Sequence, residues 1–235
     1  RLFDKSKFAM SSEETRYYLN GVYLHPCIEN EKNILRAVAT DGHRLAQIDI
    51  ENPGLKNSFS GIIVPKKTVG ELRMILENES DDISISISSN KIRFSNNSLT
   101  LTSKIVDGTF PDYKRVIPIN NDKKLKVNAS EFSEAVDRVS TVSSERSRAV
   151  KLTLSSGSLQ LSVNSPENGK AEDEILVNYD QDNLEIGFNA RYLQELTSQV
   201  DGKNVEFSFK SSGDPALMRD VDDEGAIYVV MPMRV

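Results

Sequence analysis

The chain has 235 residues, with 29 Lys+Arg against 35 Asp+Glu and a formal net charge of −6. Its 38% hydrophobic and 27% charged content supplies apolar surface for packed cores and excludes disorder as the default state. No run approaches the ~18 apolar residues of a membrane span. A single cysteine, Cys27, excludes an internal disulfide and fits a reducing cytoplasm. With His25 and His43 the only histidines, there is no Cys/His cluster for zinc, and no metal or other cofactor is indicated.

The length suits one large or two modest domains. Arg1 stands where an initiator Met is expected and no signal peptide follows, so the chain reads as processed or shortened. Residues 1–121 hold 16 basic and 15 acidic side chains, whereas residues 122–235 hold 13 and 20. That balance argues against tight nonspecific gripping of DNA, which needs many Lys/Arg on phosphates, but it is compatible with a local basic surface that touches DNA lightly.

Three segments share one pattern of short apolar strand, helix start and apolar helical stripe. The first runs Ile62-Ile63-Val64-Pro65, then Leu72, Ile75 and Leu76. The second runs Leu125-Lys126-Val127-Asn128, then Phe132, Ala135, Val136 and Val139. The third runs Leu184-Glu185-Ile186-Gly187-Phe188-Asn189, then Leu193, Leu196 and Val200. The stripes follow i, i+3, i+4 spacing; Pro65 suits a helix beginning, and Asn128 and Ser130 are N-cap types. From Val64 to Val127 to Phe188 the period is about 62.

Alternating strands follow each helix: Ile83, Ile85, Ile87, Ile92, Phe94, Leu99 and Leu101; then Leu152, Leu154, Leu159, Leu161, Val163, Ile175, Val177 and Tyr179; then Val205, Phe207, Phe209, Ile227, Val229 and Met231. Period-2 alternation predicts half-buried antiparallel strands. Ser11–Arg16 resembles Ser143–Arg148, and the second helix begins about 13 residues before its copy. The chain is therefore expected to open inside a helix whose preceding strand is missing. The polar stretch 117–124 is the linker candidate, giving domains 1–121 and 122–235, each of two helix-plus-sheet modules in an α+β fold. Residues 26–35 read as a polar, acidic loop carrying Cys27, and 211–225 as an acidic turn region; neither has an assigned role.

Four separated motifs resemble the bacterial sliding clamp family, the beta subunit of DNA polymerase III. They are Tyr17-Tyr18-Leu19-Asn20-Gly21, Ala39-Thr40-Asp41-Gly42-His43-Arg44-Leu45-Ala46, Val106-Asp107-Gly108-Thr109-Phe110-Pro111-Asp112-Tyr113 and Tyr228-Val229-Val230-Met231-Pro232-Met233-Arg234-Val235. The resemblance covers the whole chain and matches the second and third of the family's three domains. It implies two tandem DNA-clamp domains with helices on the inner face and sheets outside. It further implies a non-catalytic processivity factor, a head-to-tail dimeric ring around double-stranded DNA. Its partners would be the polymerase III alpha and clamp-loader subunits, with other polymerases and repair proteins, each docking through a short linear motif.

Carried over by motif, the partner-peptide pocket between the two domains comprises Leu19, Thr40, Gly42, His43, Arg44, Leu45, Pro111, Arg115, Val116, Asn189, Tyr192, Val229, Val230, Met231, Pro232, Met233 and Arg234. Apolar walls with a few polar groups suit such a pocket. The same resemblance makes Arg16, Tyr17, Tyr18, Lys66, Lys67 and Arg73 DNA-facing, with aromatic rings able to stack on exposed bases.

Plainer readings stand beside these. Tyr17-Tyr18 reads equally as strand packing, Lys66-Lys67 as a solvated helix start and Val229-Val230-Met231 as a buried edge strand. Asp41-Gly42-His43 admits a catalytic reading, but no Gly-x-Ser-x-Gly elbow accompanies it. Two other classes remain: an enzyme of two repeated halves, which calls for convergent acid/base residues or a phosphate loop that the sequence lacks, and an interaction scaffold with no DNA role.

Overall fold

The computed structural model describes residues 1–51, 59–76, 82–144 and 148–235. It divides into two compact units, Arg1–Asp112 and Tyr113–Val235. The expected boundary lay nine residues later. Residues 113–121 belong to the second unit because they are tied to it: the 3₁₀ turn Tyr113–Val116 buries Tyr113, and Asn121 Nδ2 donates to the carbonyls of Ser208 (2.8 Å) and Pro215 (2.9 Å). Lys123 and Lys124 of the expected linker are already in a strand.

In the first unit, turns and a 3₁₀ segment (Lys7–Ala9) open the chain, with Lys5 N donating to Arg1 O at 3.1 Å and Lys7 N to Phe3 O at 2.9 Å. A second 3₁₀ segment, Glu14–Leu19, precedes β1 (Gly21–Glu29), β2 (Lys32–Thr40), β3 (Arg44–Glu51), β4 (Ile62–Pro65), α1 (Lys66–Leu76), β5 (Ser84–Ile87), β6 (Lys91–Ser95) and β7 (Thr100–Lys104). Strands run in the orders β4-β1-β2-β3 and β5-β6-β7, all antiparallel.

The second unit contains β8 (Lys123–Asn128), α2 (Ala129–Ser140), β9 (Ala149–Ser155), β10 (Ser158–Ser165), β11 (Gly169–Leu176), β12 (Leu184–Asn189), α3 (Ala190–Thr197), β13 (Asn204–Phe209), β14 (Ala216–Asp220) and β15 (Ala226–Val230). Its strands run β11-β10-β9-β12 and β15-β14-β13-β8.

The three repeated strand–helix starts fall where the periodicity predicts. Each opening strand pairs with the other module's sheet: β4 with β1, β8 with β13 and β12 with β9. This exchange binds two modules into one unit, since neither sheet is complete without its neighbour's strand. In the second unit Phe132, Ala135, Val136 and Val139 of α2 and Leu193 and Leu196 of α3 are all buried, with Phe188, Phe207 and Phe209 from the strands. Phe132 lies against Phe207, ring centroids 5.2 Å apart. Each such burial contributes roughly 1.5–3 kcal/mol. Asn128, not Ser130, caps α2, accepting from Glu131 N at 3.0 Å, and Asn189 caps α3.

Several expectations are corrected. Residues 26–35 are not a loop: they are the ends of β1 and β2, joined by a two-residue turn at Asn30 (φ 49°) and Glu31 (φ 66°), the geometry that fits the twist of a hairpin. Cys27 therefore sits in a strand, opposite Ile34. Pro26 is tolerated because β4 pairs only as far as Leu24, leaving β1 an edge there. Within 211–225 lies β14, and Asp220 at its end is buried. Its carboxylate accepts from Asp201 N (2.9 Å) and Asp222 N (3.0 Å), holding two turns together. β5 is mostly exposed, Ile85 included, and Val177 and Val200 fall just beyond their elements. In β15, Tyr228, Val229 and Val230 are all buried, so its apolar pattern is not a simple alternation. The Ser143–Arg148 copy includes 145–147, which lie outside the described residues, as does the side chain of Leu76.

Candidate functional site

In the first unit the β2–β3 connection is held from both ends. Thr40 Oγ1 donates to Arg44 O (2.7 Å) and accepts from Gly42 N (3.1 Å). Asp41 Oδ1 accepts from His43 N (2.9 Å) and Arg44 N (3.0 Å), while Oδ2 takes Arg44 Nε at 3.1 Å. The Asp41 carboxylate is thus engaged by backbone amides and a guanidinium, the bonding of a turn. Gly42 has φ +90°, so its conformation calls for glycine; a Cβ there would also meet Arg16 Nη1 at 2.8 Å, the movable end of a long side chain.

Arg44 is buried, its Nη2 donating to Phe8 O at 2.7 Å and its guanidinium lying 5.2 Å from the Phe8 ring centroid. That pins β3 to the start of the chain. Leu19 and Leu45 are also buried, whereas Gly42, His43 and Pro111 are exposed. In this unit the loop tip and Pro111 are therefore accessible to solvent, whereas Leu19, Arg44 and Leu45 are not.

In the second unit Val116 is exposed beside Arg115 on the 3₁₀ turn anchored by Tyr113. Asn189 accepts from Arg191 N (3.0 Å), fixing the α3 start that carries half-buried Tyr192. Val229 and Val230 are 1% and 0% exposed, within the core of the unit, while Met231, Pro232 and Met233 are half-buried and Arg234 is exposed.

Among the residues expected to face DNA, Tyr17 is 53% exposed and meets Tyr18 edge-to-face, ring centroids 5.8 Å apart. The Tyr17 ring and the Cβ of Tyr18 lie over Gly108, where a Cβ would come within 3.3 Å of Tyr17 Cε2 and 3.2 Å of Tyr18 Cβ. Two of the four motifs thus touch, which sequence spacing alone does not show. Arg16 is bound bidentately by Glu13 (2.8 and 2.6 Å), and this hydrogen bond holds the Glu13 carboxyl below the usual glutamate range. Arg73 pairs with Asp4 at 3.2 Å. Lys66 and Lys67 are exposed at the first two positions of α1, with no acidic residue in that turn. Cations there oppose the helix dipole, so helix stability does not account for them.

Phe8, Glu13, Gly108 and Gly187 are absent from the expected site. Only the two glycines left a signal, each inside an otherwise apolar or motif-bearing stretch. Among the described residues no group of three or more His, Cys, Asp or Glu is placed to hold a metal ion, and no helix is long and apolar enough to cross a membrane.

Residues 1–112 match the family described as DNA polymerase III beta subunit, central domain, and residues 114–234 match its C-terminal domain. The chain therefore belongs to the DNA polymerase III beta subunit family. It is 47% identical to the beta sliding clamp of Caulobacter vibrioides and 38% identical to that of Escherichia coli K12, covering all of this chain and 63% of each relative. It also resembles the crystal structure of a DnaN sliding clamp from Bartonella birtlesii bound to griselimycin, with TM-score 0.96 and 51% identity, over 100% of this chain and 63% of that one. The chain thus spans a little under two thirds of the relatives it matches.

Proposed function

We propose that this chain is the central and C-terminal part of a processivity clamp. The whole protein would encircle duplex DNA as a head-to-tail dimer and tether polymerase III alpha, clamp-loader subunits and repair proteins, without chemistry of its own. The observation that carries this reading is two consecutive clamp-domain matches, over residues 1–112 and 114–234. A cytoplasmic location agrees with the single cysteine.

For the chain itself we infer binding of a short, partly hydrophobic peptide. The first unit offers Thr40, Gly42, His43 and Pro111, with Leu19, Arg44 and Leu45 of the same motifs buried. The second offers Arg115, Val116, Asn189, Tyr192, Met231, Pro232, Met233 and Arg234, with Val229 and Val230 of the same motif buried. Arg16, Tyr17, Tyr18, Lys66, Lys67 and Arg73 are assigned to DNA. The decisive test uses the full-length protein on DNA: release when a loaded circle is linearised supports encirclement, and retention on the linear form refutes it.

A further inference from the structure

Gly187 stands in the middle of β12, the strand at one side of the β11-β10-β9-β12 sheet. Its φ lies outside the left-handed region, so conformation does not call for glycine. Space does. A Cβ at Gly187 would lie 2.3 Å from Val235 Cγ1, 2.8 Å from Val235 Cγ2 and 2.7 Å from Met233 O. Met233 N donates to Gly187 O at 2.8 Å, and the two residues form an antiparallel bridge. Glycine inside a strand weakens it and typically marks a place where another backbone comes close.

Segment 231–235 is thus seated at two points, by one hydrogen bond and by a valine occupying the space a side chain would fill. Pro232 restricts Met231 to extended backbone and donates no hydrogen bond, so the segment crosses to its seat as a stiff ribbon. A cavity of about 660 Å³ bordered by Lys151, Glu185, Ser212 and Gly213 adjoins it, leaving room for the ribbon to lift once the seat is filled.

We propose that Gly187 is a positioning residue for partner binding: its missing side chain seats Met233 and Val235 and so presents Met231, Pro232 and Arg234 to the peptide. The proposal rests on the peptide-binding reading above. Fixing a binding wall in advance lowers the ordering cost of association, so an unseated ribbon binds more weakly with every contact residue still present.

The test compares the 235-residue chain with Gly187→Val, Gly187→Ala and the double variant Gly187→Ala/Val235→Gly. Three quantities are read: the exchange rate of the Met233 amide, thermal unfolding, and calorimetric affinity for a Gln-containing peptide ending in Leu-Phe. The expected result is a Met233 amide deprotected tenfold or more in Gly187→Val, a peptide affinity lower by about tenfold, and unfolding that stays cooperative. Gly187→Ala should be intermediate, and removing the Val235 side chain should recover only part of its lost affinity, because the approach to Met233 O at 2.7 Å remains. Unchanged Met233 protection in Gly187→Val, or unchanged affinity despite its loss, overturns the proposal. If the parent chain binds no peptide, the peptide reading fails and takes the proposal with it; intact Met233 protection then separates that outcome from a misplaced seat.

Discussion

Arg36 and Asp49 face each other across β2 and β3 and form two parallel hydrogen bonds, Nε to Oδ1 at 2.7 Å and Nη2 to Oδ2 at 2.6 Å. Arg36 is only 6% exposed at its side chain, and Glu29 of β1 closes on the same guanidinium. A charge so deeply placed is costly unless its partners remain. Asp49→Ala should therefore destabilise the first unit by about 1–3 kcal/mol, Glu29 still holding the guanidinium, while Arg36→Met/Asp49→Leu should lose less because no buried charge remains. Urea denaturation of the two variants decides between these, and equal losses would count against the pairing.

This pair also shows what the sequence concealed. The hairpin holding Glu29 and Arg36 is rich in charges, contains Pro26 and turns on Asn30-Glu31 instead of Asn-Gly, so no hairpin signal reaches the eye. The strand–helix starts at Pro65, Asn128 and Asn189 were legible because local rules write them: an apolar strand, a cap or proline, then a helical stripe. The exchange of β4, β8 and β12 between sheets was not, since strand pairing across tens of residues leaves no local trace. For the same reason the resemblance named Arg44 and Arg16 as site residues but not Phe8 or Glu13, which hold them.

The Glu13–Arg16 pair should report itself by pH. The hydrogen bond from Arg16 lowers the folded-state pKa of Glu13 below its ordinary value of 4.5. Because the folded value is depressed, the pair's contribution is present above the unfolded pKa and is lost as pH falls through the folded one. Carboxyl resonances followed by NMR should place the Glu13 midpoint below 4.5 in the parent chain and return it towards 4.5 in Arg16→Ala. An unchanged midpoint would detach Arg16 from Glu13.

Lys66 and Lys67, assigned here to DNA, stand where the helix dipole disfavours cations. Removing cations from the first turn of α1 should leave thermal stability equal or slightly higher, by about 0.3–1 kcal/mol for each lysine. The same change should weaken any binding of duplex at low salt. If both lysines meet phosphates, the slope of log affinity against log salt should fall by about 2 in Lys66→Ala/Lys67→Ala. A slope equal to that of the parent chain would leave them as solvated surface.

The two candidate surfaces can be separated in one titration. Met231 is half-buried, following the buried Val229 and Val230 in the chain and preceding the segment fixed at Met233. Truncating it removes apolar wall without stranding a polar group, so Met231→Ala should weaken a Gln-containing peptide ending in Leu-Phe by about 1–2 kcal/mol, near tenfold or more in Kd. Deleting 231–235 should cost more, since the Met233–Gly187 hydrogen bond goes with it. Tyr17 rests on Tyr18 and Gly108 with half its surface exposed, so Tyr17→Ala should leave peptide affinity nearly unchanged while reducing retention of single-strand junctions. Calorimetry with one peptide across the three variants decides the matter, because equal affinities throughout would mean that the peptide sits on other residues.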